Sequence, residues 1–194
     1  MIYHNIQQNT DEWYQLRLGK FTASMFKDVM AKETTATYTN VIYQVVYEKL
    51  TGEITNGYTN EWMERGKELE PEARLWYELN FDEVLNGGFF CDDWVGASPD
   101  GLIGTEGLIE IKCPKPSTHI QYLIDNELPS IYQWQVQGQL YVTNRQWCDF
   151  VSYHPRLKPL VIRVNRDEKM IAELQARLDQ SIQKAKQILE IVNG

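Results

Sequence analysis

The sequence predicts an α/β fold with a mixed central sheet flanked by helices. Three observations predict it. Short apolar and β-branched runs at 87–98, 108–113, 148–154 and 159–165 read as strands. Longer stretches with helical spacing stand before and after them, at 11–30, 37–51, 62–80 and about 167–192. Between Asp100 and Glu110 the glycines Gly101 and Gly107 allow the turns of a hairpin. No repeat or low-complexity segment interrupts the series, and 194 residues suit one domain, 1–194, with its centre at 61–166.

Each element has a local reason. Residues 11–30 suit one helix or two short ones, with Thr10 or Asp11 able to cap the start and Trp13, Leu16 and Leu18 apolar. The stretch 37–51 reads as a helix ended near Gly52. From 62 to 80, Trp62, Gly66, Leu69, Ala73, Trp76 and Tyr77 keep one helical stripe. Pro71 interrupts that stripe, which puts Glu70 at a kink or beside a fresh helix start. Residues 132–140 alternate as a strand would, yet Gln133, Gln137 and Tyr141 lie four apart and Ile131, Trp134, Tyr141 and Val142 make a helix face. Periodicity alone leaves that segment undecided.

Composition narrows the class. No basic-then-apolar leader stands at the ends and no apolar run approaches the ~20 residues of a membrane span, which predicts a soluble cytoplasmic protein. Cys91, Cys113 and Cys148 form no Cys-x-x-Cys pair, which predicts reduced thiols, with neither a disulfide framework nor a zinc knuckle. His4, His119 and His154 are scattered, so any metal is a hard one held by oxygen. The net charge of −8 opposes binding to polyanions as a whole. A nucleic-acid-binding role therefore requires uneven charge, and Arg17, Lys20, Lys27 and Lys32 stand among few acids while acids cluster in 61–83 and 167–190.

The motif that carries chemistry is Pro99-Asp100, nine residues, Glu110-Ile111-Lys112. Alternation along a strand sends Ile109 and Ile111 into the core and leaves Glu110 and Lys112 together on the other face. Cleaving a phosphodiester requires a placed water and neutralised oxygens. Asp100, Glu110 and the Ile111 carbonyl make a half-shell for Mg²⁺, one ion or two, with room left for phosphate and water. Mn²⁺ is a plausible substitute ion for such a shell. Lys112 is placed to orient the water or to stabilise the charge that develops as it attacks. Asp-Gly turns and Glu-x-Lys pairs are each common; their union around an apolar strand is what points to a metal-dependent nuclease.

Five blocks in order, Arg17-Leu-Gly-Lys-Phe-Thr-Ala-Ser24, Gly66-Lys-Glu-Leu-Glu70, Ala97-Ser-Pro-Asp100-Gly-Leu, Glu110-Ile-Lys112-Cys-Pro and Gln135-Val-Gln, resemble the lambda exonuclease (YqaJ-type) family of phage recombination nucleases from Trp13 to about Asp167. The resemblance implies a restriction-endonuclease-like PD-(D/E)xK fold and makes 132–140 a helix. It implies a Mg²⁺-dependent exonuclease that degrades the 5′-ended strand of duplex DNA and leaves a 3′ overhang for a single-strand annealing protein. It also implies a homotrimer ringed around the DNA in the cytoplasm of a bacterial host. Residue by residue, Asp100, Glu110 and Lys112 match the catalytic positions, and Glu70, with Glu68 and Glu72 as competitors, matches an extra metal-binding carboxylate. Arg17 and Ser24 match a 5′-phosphate pocket and Gln135 a glutamine beside the catalytic lysine; Tyr132 and Met63 are expected DNA contacts, Met63 as a wedge between strands. Residues 31–39 and 51–60 match nothing sharply. An endonuclease on the same core and a non-catalytic DNA-binding module are the alternatives.

Overall fold

The computed structural model describes residues 1–55 and 61–194. Two mixed sheets share the chain. The five-stranded one runs β3 (Leu85–Asn86), β6 (Gly101–Ile103), β7 (Gly107–Lys112), β8 (Trp147–Ser152), β9 (Leu160–Asn165). Its central pair, β7 and β8, is parallel with Lys112 opposite Ser152, and the other neighbours are antiparallel. The four-stranded sheet runs β1 (Ile2–His4), β4 (Phe89–Cys91), β5 (Val95–Ala97), β2 (Phe21–Thr22), with β2 parallel to β5.

Helices cover both faces of β7. On one side Ile109 and Ile111 pack with Ala73 and Tyr77 of α4 (Glu61–Asn80) and with Val151. On the other, Leu108 packs with Val136 and Leu140 of α6 (Gln133–Thr143). A third cluster gathers Phe21, Phe26 of α2 (Phe26–Val29), Tyr38 and Ile42 of α3 (Ala36–Thr51), and Leu174 and Leu178 of α7 (Glu168–Asn193). The caps follow their residue types. Thr10 accepts from the Trp13 N–H at the start of α1 (Asp11–Arg17), and Gly52 closes α3 at φ +68°.

Several expectations are corrected. The 11–30 region does hold two short helices, α1 and α2, but β2 and a 3₁₀ turn at Ala23–Met25 lie between them, because Phe21 and Thr22 pair with Val95 and Gly96. The single strand at 87–98 is a hairpin of β4 and β5, since Asp92 Oδ1 accepts from the N–H groups of Trp94 and Val95 and turns the chain. The helix α4 runs unbroken through Pro71, without a fresh start. Trp62, placed on its buried stripe, is exposed. Gly101 and Gly107 lie in strands, and the β6–β7 turn is made at Gly104 with φ +49°. Three elements went unforeseen: β1, β3, and α5 (Pro116–Asp125), in which Pro116 takes the first helical position.

The undecided segment is α6. Its alternation arises because Gln137 and Gln139 point inward to specific partners: Gln137 Nε2 donates to the Asn165 carbonyl at 2.9 Å, and its Oε1 accepts from the Asp167 N–H at 2.9 Å. Cys91 and Cys148 are buried and Cys113 is half-buried, all as free thiols. Among the described residues no helix is long and apolar enough to cross a membrane.

One polar group in the middle of the five-stranded sheet ties it to α4. Asp149 on β8 takes a bidentate Arg163 at 2.8 Å to each oxygen and a 2.5 Å hydrogen bond from Tyr77 Oη. Tyr77→Phe removes a donor to a buried carboxylate, so unfolding in urea is expected to show a loss of about 1.5–3 kcal/mol. A loss under ~0.5 kcal/mol would mean that Arg163 alone satisfies Asp149.

Candidate active site

The site forms where β5 ends and β6 begins, against the C-terminal half of β7. Ser98 and Pro99 carry the chain from β5 to Asp100, whose N–H bonds the Ile109 carbonyl at 3.1 Å. Its Oδ2 then accepts the Ile111 N–H at 2.6 Å. A strand residue sends its N–H and C=O to the same edge, so the Ile111 carbonyl also points toward the Asp100 carboxylate. Arg74 of α4 holds the backbone here, donating to the carbonyls of Asp100 (3.3 Å) and Val84. Gln8 donates to the Pro99 carbonyl at 2.9 Å.

Glu110 is the most enclosed charge, with only 1 % of its surface exposed. The face it shares with Lys112 is therefore no open wet surface: α6 lies over it. Lys112 Nζ and Gln135 Nε2 (2.5 Å) donate to Oε1, and Gln139 Nε2 donates to Oε2 at 2.6 Å. Gln139 was not among the expected site residues. Its signal in the sequence is spacing, since it follows Gln135 by four and so lies on the same helix face. The Oε1 of Gln139 is buried and has no hydrogen-bond partner among the described residues.

The three carboxylates and the lysine feel one another. Burial first, then Glu110, pushes the Asp100 carboxyl well above the usual range, and Lys112 opposes the shift. Burial also raises Glu70; Lys112 pulls it down and Glu110 adds to the rise. For Lys112 burial works against the charge, yet Glu110 and Asp100 outweigh it and hold the ammonium protonated above its ordinary value. Of the three glutamates in competition on α4, Glu68 is exposed and Glu72 accepts from Tyr153 Oη at 2.7 Å, which leaves Glu70 facing the site. A cleft of about 290 Å³ runs along Asp100 and Glu70, lined also by Asn9, Lys67 and Arg74.

Among the described residues no three His, Cys, Asp or Glu side chains converge tightly enough to cage a metal by themselves. Magnesium rarely asks for that, being held by one or two carboxylates with several waters. The donor set fits such an ion. Asp100, Glu110 and Glu70 supply hard oxygen, and the upward shift at Asp100, caused first by burial and then by Glu110, is one that a bound divalent cation would oppose.

A second cluster lies at β2. The Arg17 guanidinium stacks on the Trp13 ring at 4.1 Å and donates to Thr22 Oγ1 at 3.4 Å; Thr22 Oγ1 and Ser24 Oγ are 3.2 Å apart. Arg17 and Ser24 are thus brought together, with Thr22 as the link that spacing did not reveal. No carboxylate pairs with Arg17 among the described residues. Burial pulls its pKa down to about 10, with Glu48 opposing. The cluster is anchored to the catalytic loop twice: Trp13 Nε1 donates to Ser98 Oγ at 2.9 Å, and Thr22 pairs with Gly96 on β5. Four residues of extended chain reach from Gly96 to Asp100, at most ~14 Å. Tyr132 stands with its ring centre 5.4 Å from Lys112 Nζ. The side chain of Met63 lies outside the described residues.

The strand order and the Asp100, Glu110–Lys112 constellation on β7 define a PD-(D/E)xK fold. The chain belongs to the family described as the YqaJ-like viral recombinase domain, whose model matches residues 12–146. Among solved structures it is similar to an alkaline exonuclease, LHK-Exo, from Laribacter hongkongensis, at 38% identity and TM-score 0.88, covering 95% of this chain and 96% of that one. The same enzyme in complex with dAMP matches at 39% identity and TM-score 0.88, over 94% and 96% of the two chains. A phage-related exonuclease from Haemophilus somnus 129PT shares the fold at 15% identity and TM-score 0.71, over 92% and 99%. No curated protein matches the chain.

Proposed function

We propose that this chain is a Mg²⁺-dependent exonuclease that degrades the 5′-ended strand of linear duplex DNA. The observation that carries the reading is the Glu110–Lys112 contact at the end of β7, with the Asp100 carboxylate held beside it by the Ile111 N–H. Family membership and the likeness to an alkaline exonuclease support a nuclease that works on DNA ends. The ion, one or two per site and replaceable by Mn²⁺, would be held by Asp100, Glu110, the Ile111 carbonyl and Glu70. It would supply Lewis acidity and a water of lowered pKa.

The protein's own groups do the rest. Gln139 and Gln135 grip the two oxygens of Glu110 and fix its rotamer inside the core. The Asp100 carboxylate is aimed by the Ile111 N–H. Lys112, kept cationic by Glu110 and Asp100, orients the attacking water and stabilises charge on the phosphate. Arg17 has a rigid fork with no carboxylate partner among the described residues, which suits it to a terminal 5′-phosphate, with the hydroxyls of Thr22 and Ser24 beside it. Tyr132, over Lys112, contacts the strand near the cut, and Met63 is retained as the strand wedge. The working form is a single-domain homotrimer ringed around the duplex that hands its 3′ overhang to a single-strand annealing protein in a bacterial cytoplasm.

The polarity test uses a linear duplex labelled separately at the 5′ and 3′ ends of each strand, incubated with Mg²⁺ or EDTA. Early release of the 5′ label with Mg²⁺, absent in EDTA and reduced at least ~10²-fold in Lys112→Ala, is expected. Early 3′ release or cutting of closed circles would discard the exonuclease direction. Arg17→Ala is expected to abolish the preference for 5′-phosphorylated over 5′-hydroxyl ends while retaining Mg²⁺-dependent cutting; an intact preference would place the phosphate elsewhere. Gln139→Leu is expected to weaken Mg²⁺ affinity about 10–100-fold, read by calorimetric titration beside an unchanged circular dichroism spectrum. Wild-type affinity would show that Gln135 and Lys112 suffice to hold Glu110.

A further inference from the structure

The chain carries 27 acidic residues, yet residues 111–124 and 153–166 contain none. These two acid-free segments meet in space. They leave the sheet side by side from the parallel strands β7 and β8, where Lys112 is opposite Ser152. His119 of α5 ties them together: one ring nitrogen is 2.7 Å from Ser152 Oγ and the other 3.0 Å from the Lys158 carbonyl oxygen. Lys115, Arg156 and Lys158 are exposed on this surface and make no ion pair among the described residues. On α4, Glu72 is bonded to Tyr153 Oη.

Beneath them lies a pair of donors facing each other. His154 Nδ1 accepts the Arg156 N–H at 3.2 Å, so the proton of the neutral ring is assigned to Nε2. Burial first, then Arg65, His119 and Arg156, lowers the His154 pKa and favours that neutral ring. Its Nε2–H therefore points at Arg65 Nη2, 3.4 Å away, donor against donor. Arg65 Nη1 is buried as well and has no partner among the described residues. Two such groups are satisfied together by an acceptor with several oxygens that enters between them.

We propose that this surface, with Lys115, Arg156 and Lys158 outside and the Arg65–His154 pair inside, holds the phosphate backbone of duplex DNA beside the cutting site. The proposal rests on the nuclease reading and adds where the substrate lies. It also bears on the net charge of −8: the duplex is placed against the two acid-free segments that continue from Lys112. The basic residues near the N-terminus then serve the strand end, and the β7–β8 edge serves the duplex.

The test measures fluorescence anisotropy of an end-labelled 30-base-pair duplex in EDTA, across ~50–200 mM salt. The proteins are wild type, Arg156→Glu/Lys158→Glu, Arg65→Gln, and Lys169→Glu/Lys186→Glu as a charge-matched control on α7. The β7–β8 double variant is expected to bind at least tenfold more weakly, with a log Kd against log salt slope lower by about 2, since each phosphate contact contributes ~0.9. Arg65→Gln is expected to bind more weakly with a slope lower by about 1, and the α7 control to bind as wild type. Wild-type affinity and slope in the β7–β8 variant, or an equal loss in the α7 control, overturns the proposal. If wild type digests duplex with Mg²⁺ while the β7–β8 variant binds normally, the nuclease reading stands and only the track falls. If wild type neither digests nor binds duplex, both fall.

Discussion

The structure depends on one buried carboxylate and the side chains that bond it. Glu110 sits on a buried strand, where an uncompensated anion would cost several kcal/mol. Its compensation is spread over three elements. Lys112 comes from the same strand, while Gln135 and Gln139 come from one face of α6, which cannot move off the sheet without leaving the carboxylate bare. Packing of Leu108 against Val136 and Leu140 positions that helix, and the polar contacts fix its rotation. Stability and chemistry thus draw on the same group. An apolar replacement of Glu110 alone would leave the Lys112 ammonium and the two amide donors unpaired, and so would cost stability.

A similar economy links α4 to the sheet. The helix supplies Ala73 and Tyr77 to the core, Arg74 to the Asp100 carbonyl and Glu70 to the cleft. Pro71 lies between these residues and leaves the helix continuous. Its missing N–H removes one rung of the helical ladder close to the functional residues.

Much of the site was legible because its chemistry is local. Asp100, Glu110 and Lys112 lie within thirteen residues of chain, and strand alternation alone pairs the last two. The fold class was legible from periodicity in long segments such as α3, α4 and α7. What escaped was set by distant partners. The short strands β1 and β3 exist only because another strand lies beside them, and β2 splits an apparently helical region for the same reason. Gln139 looked like one polar residue among four until α6 was seen to pack against Glu110, and Thr22 acquires meaning only from Arg17 and Ser24 on either side of it. The Arg65–His154 pair joins residues 89 apart in the chain, beyond the reach of any spacing rule.

Trp13 has a consequence beyond its packing. It stacks on Arg17 with one face and bonds Ser98 with its ring N–H, while β2 and β5 tie the same two regions through their backbones. Arg17 and Asp100 therefore belong to one rigid frame, like the two jaws of a fixed caliper. In a chain that holds a terminal phosphate at Arg17, the length of each released fragment is then a constant of the backbone. Changing that length would require a different register between β2 and β5 rather than a different loop.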